Sequence, residues 1–483
     1  MSRISKTFKK FPKTFWVANT MELFERWAWY GIFMVLALYL TESKDTGALG
    51  FTQSQKGYLM GTVVGILYFL PVITGAIADK FGYKKVLVLS FIILSTGYFF
   101  MSKVTGYSAM FLVFLYVALG AALFKPVISA TISKSTDDTT STIGFGIFYM
   151  IVNIGAFVGP IFASKFRHID WNYPFYMASI VICINIFIVL IFYKEPKRKP
   201  NSESILKSIG TVFKNMFSVL HDYKFVIFLI LIIGFWSMYN QLFYTLPVFI
   251  EQWIDTSGIY KFLESISPAL ASAIGTSEHT IAPEMLTNID ALYIVLFQVL
   301  VSTLVMKYKP INSIIKGFLI CSIGIGLWFI TQNGFYLFIS LLIFGIGEMM
   351  SSPRILEYVG KIAPKDKVAL YMGCYFIPMA GGNFIAGILS GDVYGKIADK
   401  FHLLKMEVAS RGLKIPEVSE NFTKNDYTEK ACQLMGLDPN SLTQFLWETY
   451  NPSRIWLIFT MIGFGTVLLL FLFDRLMFSK TKQ

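Results

Sequence analysis

The 483-residue chain is 55% hydrophobic and 17% aromatic with a mean hydropathy of +0.58, which excludes an ordinary soluble globular protein. Its net charge of +12 does not require nucleic acid, because the basic residues cluster at the predicted cytoplasmic edges of apolar segments and can contact anionic lipid headgroups there. Four cysteines without metal-ligand spacing and four histidines outside the apolar segments predict no metal, no cofactor and no histidine relay.

Apolar runs of about 18 or more residues predict twelve transmembrane helices. Six precede a basic connection and six follow it, so we expect an all-α membrane protein with two six-helix halves, 1–193 and 225–483, around a midplane cavity. Lys and Arg are more frequent in the predicted inner segments than in the short outer loops, which predicts that both termini are cytoplasmic. The predicted spans are 15–40, 54–78, 84–102, 108–131, 143–164, 173–193, 225–250, 289–308, 312–331, 334–356, 368–394 and 453–478.

The segments outside these spans are few. The cytoplasmic connection, 194–224, is basic and contains an apolar-periodic stretch around 205–220 that predicts a helix on the inner membrane surface. Two long outer loops are predicted at 251–288 and 395–452, the second with helix-like pieces. The first apolar stretch is too long for a cleaved signal peptide, and we expect it to act as its own insertion signal.

The first span carries charges near its cytoplasmic end. A single charge inside a bilayer costs about 2.5–3.5 kcal/mol on insertion scales, so this face must line a wet cavity or contact polar partners. Residue spacing places the following side chains on one helix face: Glu22, Glu25, Arg26, Trp29, Tyr30 and Phe33.

The turn after span 2 contains Gly75, Asp79, Gly82, Lys84 and Lys85. This pattern resembles the G-x-x-x-D-x-x-G-x-[RK]-[RK] signature of the major facilitator superfamily, at the position which that family uses. The glycines allow a tight turn, and the aspartate with the lysines can form an ion-paired latch at the membrane edge. We therefore expect a role in conformational gating, with a plain basic turn as the alternative.

Spans 4 and 10 each carry a charge at depth. Lys125 precedes Pro126, which kinks a helix and frees carbonyl groups. Glu348 lies in mid-span and needs a cation, so we hypothesise an ion pair with Lys125 that closes the cytoplasmic side; a snorkelling Lys125 is the alternative. Arg354 and Glu357, three residues apart, are interpreted as a local pair.

Several motifs, in order along the chain, resemble those of the proton-dependent oligopeptide transporters, a branch of that superfamily. The run from Glu22 to Tyr30 is similar to the E-x-x-E-R-F-x-Y-Y motif of these transporters, and Tyr68 falls at the position of a cavity tyrosine on span 2. Further resemblances are Phe124-Lys125-Pro126, Phe148-Tyr149 with Asn153 and Gly155, Glu348 to Pro353, and Tyr375 to Asn383.

The resemblance implies a multi-pass plasma-membrane symporter, expected to be monomeric, that imports di- and tripeptides with protons. Proton coupling would involve Glu22, Glu25, Arg26 and Glu348. Arg26 and Lys125 would hold the peptide carboxylate, whereas Glu348 and Asn153 would hold its ammonium group. Lys125 and Glu348 would also act in gating. The other substrate-site candidates are Trp29, Tyr30, Tyr68, Tyr149, Trp236, Asn240, Asp290, Ser352 and Tyr375.

The chain departs from the pattern of that family at three positions. In the family, an arginine on span 1 pairs with an acid that lies four residues after a tryptophan on span 7. This chain has Phe33 at the arginine position and Asn240, four residues after Trp236, at the acid position. Because both charges are missing, neither is buried without a partner. Asp290 stands near a position that is neutral in the family, where it either strengthens the ammonium site, serves as a relocated proton site, or is an outer-loop aspartate. The 31-residue connection cannot supply the two extra helices of many bacterial members.

Three alternatives to a peptide symporter remain open. A transporter of another small zwitterionic or amide-containing compound, with altered or absent proton coupling, fits the same charges. An intramembrane enzyme is disfavoured because the spans contain no H-E-x-x-H, G-x-S-x-G or paired-aspartate motif, so no catalytic residues are predicted. A channel is disfavoured because nothing resembles a selectivity-filter loop.

Overall fold

The computed structural model describes residues 10–137, 140–196, 204–328, 331–365 and 367–478. In these ranges the regular elements are helices, accompanied by isolated bridges such as that between Gly275 and Ile281. Eleven of the described helical runs are long and apolar enough to cross a membrane, and the number is twelve when a bent pair counts as one span. The predicted all-α membrane class is thereby confirmed.

The helices up to the central connection lie close to their predicted positions. The connection contains the helix Ile205–Val219 (α8), which confirms a helix around 205–220. The eight helices are α1 Lys13–Thr41, α2 Gln53–Phe69, α3 Pro71–Phe81, α4 Tyr83–Met101, α5 Tyr107–Lys134, α6 Ser141–Arg167, α7 Asn172–Ile191 and α8 Ile205–Val219.

The later helices are more often broken. In chain order they are α9 Tyr223–Tyr239, α10 Gln241–Tyr244, α11 Leu246–Trp253, α12 Ser257–Ile266, α13 Pro268–Ile274, α14 Pro283–Thr287, α15 Ile289–Val305, α16 Pro310–Leu327, α17 Phe335–Ile362, α18 Val368–Cys374, α19 Phe376–Ile388, α20 Tyr394–Ile397, α21 Lys400–Ser410, α22 Lys424–Met435, α23 Pro439–Tyr450 and α24 Arg454–Phe478. A π-helical turn, Leu389–Val393, follows α19 directly.

Prolines mark two of the breaks. The axes of Gln53–Phe69 and Ile73–Phe81 are bent by 49°, and Pro71 begins α3 at this bend. Predicted span 7 is divided into α9, α10 and α11, with Pro247 in the first turn of α11. Proline has no backbone N–H group, so it is well tolerated in the first turn of a helix, where the N–H groups have no acceptor within the helix.

The two predicted outer loops are largely helical. Segment 251–288 contains α12, α13 and α14, helices that were not predicted there. Segment 395–452 contains α21, α22 and α23, in agreement with the helix-like pieces predicted there. Its helices are capped by polar side chains: Thr423 forms a capping box with Asp426, and the Asp438 side chain accepts backbone N–H groups of α23.

The helix α22 contacts the turn after α1. The Lys424 ammonium group donates hydrogen bonds to the carbonyl oxygens of Thr41 (2.9 Å) and Phe51 (3.1 Å). The Asn425 amide donates to the Asp45 carboxylate at 2.7 Å. Burial opposes ionisation of Asp45, but hydrogen bonds from Ser43 and Asn425 outweigh it and lower the pKa of Asp45 below its ordinary value.

The chain divides into two compact units, and each unit takes segments from both predicted halves. Unit one contains 1–33, 63–226 and 359–380, and its core includes the Phe91–Phe124 ring contact at 5.5 Å. Unit two contains 34–62, 227–358 and 381–483, and its core includes the stacked rings of Phe235 and Phe318 at 3.6 Å. The division into halves at 193 and 225 stays a prediction.

Candidate functional site

The charged face of α1 is paired within unit one. The side chains of Glu22 and Glu25 are 0% exposed. Arg26 binds Glu25 through two hydrogen bonds, of 2.5 Å from Nε and 2.7 Å from Nη2, and its Nε lies 3.5 Å from Glu22. The Lys125 ammonium of α5 completes the cluster at 2.9 Å from the same Glu22 oxygen. Two acids and two cations thus balance in charge, which makes their burial tolerable.

A proline sets the backbone next to Lys125. Pro126 lies inside α5 and cannot donate to the carbonyl of Ala122, four residues earlier. The buried Thr74 hydroxyl donates to that freed carbonyl at 2.6 Å. The predicted freeing of a carbonyl group by Pro126 is confirmed, and that carbonyl joins α5 to α3 through Thr74.

Aromatic side chains surround the charged cluster. The Arg26 guanidinium lies 5.8 Å from the centre of the Tyr30 ring, and Lys125 lies 5.9 Å from that of Phe148. Tyr68 interacts electrostatically with Tyr30 and Arg26, and Tyr375 interacts with Tyr68. Residues from α1, α2, α5 and α6 are therefore brought together around Arg26, joined by Tyr375 from the short connection after α18.

Other candidates on these helices have different surroundings. Trp29 is buried and stacks on Phe33 at 5.4 Å and on Phe114 at 6.4 Å, so it packs into the helix core. Tyr149 is 45% exposed. The Asn153 amide donates to the Tyr149 carbonyl oxygen of its own helix at 2.8 Å.

Glycines on α1 and α6 allow these two helices to approach closely. A Cβ atom on Gly155 would lie 2.8 Å from both Arg26 Cβ and the Leu23 carbonyl oxygen. A Cβ atom on Gly31 would lie 3.1 Å from the Gly159 carbonyl oxygen. The spacing of Gly155 and Gly159, four residues apart, is the small-residue signal that could have predicted this contact.

The acidic candidates of unit two form a pair. Asp290 of α15 is 5% exposed, so it is not an exposed loop residue, and its carboxyl group meets that of Glu348 of α17. The Tyr239 hydroxyl of α9 donates to Glu348 Oε1 at 2.9 Å. Among the residues that the structure describes, Asp290 Oδ1 and Glu348 Oε2 have no hydrogen-bond partner, and neither carboxyl group forms an ion pair.

The remaining candidates of unit two lie near the break in span 7 and on α17. The buried Asn240 donates its amide to the Trp236 carbonyl oxygen at 2.7 Å. The Trp236 indole nitrogen and the Ser352 hydroxyl have no hydrogen-bond partner within the described ranges. Arg354 and Glu357 form an ion pair, as predicted, and Arg354 also donates to the Val305 carbonyl.

The gating motif lies between α3 and α4. Gly82 has a φ of +101°, a conformation that favours glycine, and it joins the two helices. Asp79 accepts a hydrogen bond from the Tyr83 hydroxyl at 3.3 Å, and Lys84 donates to the Leu190 carbonyl oxygen at 2.9 Å. Gly75 lies near Pro126, and Lys85 is exposed.

Two residues outside the motif complete this junction, and the sequence analysis missed both. The Glu195 carboxylate accepts the backbone N–H groups of Tyr83 (3.0 Å) and Lys84 (3.3 Å). Lys134 donates to the Tyr83 hydroxyl at 3.0 Å.

A buried lysine in unit two was also missed. The Lys56 side chain is fully buried and donates to the Tyr244 carbonyl oxygen of α10 at 2.9 Å. Its ammonium group lies 5.5 Å from the centre of the Tyr394 ring. Beside it, a Cβ atom on Gly61 would lie 2.8 Å from the Gly387 Cα atom, so α2 and α19 are in close contact.

The sequence matches a known protein family. The sequence profile of the Major Facilitator Superfamily matches residues 20–277. The chain belongs to the Major Facilitator Superfamily. This facilitator-superfamily protein is 24% identical over 445 residues to dipeptide and tripeptide permease A of Citrobacter koseri, covering 79% of this chain and 84% of that protein. The predicted resemblance to oligopeptide transporters is confirmed by such relatives.

Solved structures agree with the fold. A POT family transporter in complex with 5-aminolevulinic acid superposes with a TM-score of 0.71 at 17% identity, over 99% of this chain and 100% of the other. The nucleoside transporter NupG gives a TM-score of 0.66 at 15% identity, over 95% and 99% of the two chains. These likenesses show the fold, and a fold shared by transporters of different compounds does not select the substrate.

Proposed function

We propose that this facilitator-superfamily protein imports di- and tripeptides together with protons by alternating access. The cluster of Glu22, Glu25, Arg26 and Lys125 carries the proposal, because buried ionisable residues inside membrane spans are costly and mark substrate or proton pathways. The name of the relative, a dipeptide and tripeptide permease, supports peptides as the substrate class.

The cationic part of the cluster suits a peptide carboxylate. Arg26 and Lys125 are each paired with an acid. If Glu22 or Glu25 takes a proton, one cation is released and can pair with the substrate carboxylate instead. Proton and carboxylate binding thereby support each other. Tyr30, Tyr68 and Tyr375 would contact the backbone and side chains of the peptide.

The acidic part of the protein suits a peptide ammonium group. Glu348, with Asp290 beside it, presents negative charge without an ion-pair partner among the described residues. Asn153, Asn240, Trp236 and Ser352 would add neutral polar contacts and an aromatic wall. A zwitterion needs both a cationic and an acidic group, and this chain supplies both.

Gating is assigned to the α3–α4 junction and to the charged residues of the site. Asp79, Gly82 and Lys84 hold that junction, and its contacts must change if the helices move. The exchange of Lys125 from Glu22 to Glu348 is proposed as the step that closes the cytoplasmic side, and it stays a prediction.

Another small zwitterion is the second candidate substrate. The same charges fit other compounds that carry both an amine and a carboxylate. The superposed transporter in complex with 5-aminolevulinic acid favours this candidate, because that ligand is an amino acid without a peptide bond. An enzymatic role is disfavoured, since the superfamily and the named relative are transporters.

Uptake of radiolabelled dialanine into proteoliposomes tests the proposal. We expect counterflow without a gradient and accumulation with an inward proton gradient. A mixture of unlabelled dipeptides should compete, whereas a nucleoside should not. Uptake of 5-aminolevulinic acid with no dialanine counterflow would transfer the function to the second candidate, and failure of both substrates would reject the proposed function.

A further inference from the structure

We propose that Asp290 and Glu348 together hold one coupling proton and that Asp290 is a proton-binding residue of this transporter. This inference rests on the proposed proton-coupled function and names where one of the protons is carried. Asp290 is the residue that the sequence analysis could not place among three roles.

The charge balance of the Asp290–Glu348 pair differs from that of the α1 cluster. In unit one, two acids meet two cations, so their charges balance. In unit two, two carboxyl groups meet each other. The described residues supply the pair with a tyrosine hydroxyl but with no cation.

The contacts around Asp290 and Glu348 indicate that a proton binds to this pair. Tyr239 donates to Glu348 Oε1, which leaves Asp290 Oδ1 and Glu348 Oε2 without partners among the described residues. The other titratable group facing the pair is the Cys321 thiol of α16, which donates to the Phe344 carbonyl oxygen at 3.3 Å. Space near Asp290 is small, since a Cβ atom on Gly345 would lie 2.8 Å from Oδ1. Two carboxyl groups in one buried site share a proton because both cannot remain charged at once.

The shared proton provides coupling by charge. A singly protonated pair carries one negative charge, which a peptide ammonium group neutralises. A pair with the ammonium group but no proton keeps a net charge, and so does a pair with the proton but no peptide. Closure around an uncompensated buried charge is costly, so the transporter moves with both ligands bound. No covalent step is involved, and the proton leaves to water when the site opens.

The proton-to-dialanine ratio, obtained from the membrane potential and pH gradient that give zero net flux, tests this assignment. Asp290→Asn keeps one carboxylate for the ammonium group but removes the proton site. We expect dialanine counterflow to persist and the ratio to fall by one relative to the wild type. The control is Glu278→Gln, an exposed side chain of the same unit, which should leave the ratio unchanged.

Three outcomes contradict the assignment. An unchanged ratio in Asp290→Asn overturns it, and so does loss of counterflow with the protein still folded, because Asp290 then serves binding alone. If Asp290→Asn and the smaller Asp290→Ser both fail to fold, wild-type infrared spectra decide. A protonated carboxyl band at neutral pH before dialanine is added supports the proposal, because the α1 cluster takes its proton together with the substrate, and absence of that band rejects it. A wild-type protein without dialanine counterflow instead rejects the proposed function.

Discussion

The ammonium group of Lys125 lies 2.9 Å from the carboxylate of Glu22, and this contact joins α5 to α1 within unit one. Lys125 is 38% exposed, whereas Glu22 is fully buried, so the acid depends on the pair more than the lysine does. Arg26 offers a second but longer contact at 3.5 Å. This asymmetry leads to the first prediction.

Lys125→Gln should lower the free energy of unfolding by less than the ~3–5 kcal/mol typical of breaking a buried ion pair, because Arg26 still faces Glu22. The double variant Glu22→Gln/Lys125→Gln should recover part of this loss, since no unpaired acid remains. Thermal unfolding in detergent measures both. A double variant as unstable as the sum of its two single variants would show that the pair contributes nothing.

Glu22→Gln should separate transport from its driving force. The substitution removes a proton acceptor from the cluster while a polar group of the same size remains. One pH unit stores about 1.4 kcal/mol per proton, so losing one coupled proton should lower accumulation about tenfold under that gradient. Counterflow should survive. The exposed Glu429→Gln is the control, and equal accumulation by both variants would exclude Glu22 from coupling.

Gly61→Ala should open the contact between α2 and α19. The new methyl group would lie 2.8 Å from Gly387 Cα and 3.0 Å from the Asn383 carbonyl oxygen, and these are backbone atoms that cannot turn aside. Overpacking of this kind costs about 1–3 kcal/mol, so we expect a lower unfolding temperature and slower dialanine counterflow. Gly146→Ala is the matched control, because nothing lies within 4 Å of its Cβ position.

The contact of α22 with the turn at Asp45 should be stable at mildly acidic pH. The pKa of Asp45 is lowered in the folded protein, so its stabilising effect is present above the ordinary value of about 3.9 and is lost as the pH falls through the folded value. A pH between 5 and 8 should therefore leave the contact unchanged.

Asp45→Asn mimics the acid form at neutral pH and tests this contact. It should expose the segment between α21 and α22, so trypsin should cleave faster at Arg411 and Lys414. Glu429→Gln on α22 serves as the comparison, because its side chain is exposed and accepts a hydrogen bond from Gln433 of the same helix. Equal cleavage rates in the two variants would mean that the Asp45 charge does not hold α22.

The two charged groups together predict the number of protons. The α1 cluster is neutral and needs one proton to accept a carboxylate, and the Asp290–Glu348 pair needs one proton to match an ammonium group. A zwitterionic dipeptide should thus move with two protons. The same dipeptide with its C-terminus converted to an amide lacks the carboxylate, so it should move with one proton. Flux-reversal measurements can distinguish one transported proton from two.

The sequence predicted the identity of the charged residues better than their partners. Helical spacing placed Glu22, Glu25 and Arg26 on one face, and the structure brings them into one cluster. Spacing within one helix carries no information on which residue of another helix it meets. For this reason Lys125 was predicted beside Glu348 alone, whereas its contact with Glu22 follows from how α1, α5 and α6 pack.

The missed features arise from contacts between distant segments. Lys56 was missed, because nothing in its sequence neighbours indicates that the Tyr244 carbonyl oxygen will cover it. The helices of segment 251–288 were missed because their apolar faces are short, whereas helix-like pieces were predicted in segment 395–452, where the sequence shows the caps at Thr423 and Asp438. Asp290 was left between three roles, since its burial depends on the position of α17.

The burial of Lys56 makes this residue a natural reporter of the transport cycle. Its amine is fully covered in the described arrangement, so a water-soluble acylating reagent can reach it only after α2 and its neighbours separate. The extent of labelling at Lys56, measured by mass spectrometry, would then report how long the unmodified protein spends in arrangements that expose this amine. Substrates and inhibitors could be sorted by how they change that time, without any engineered cysteine.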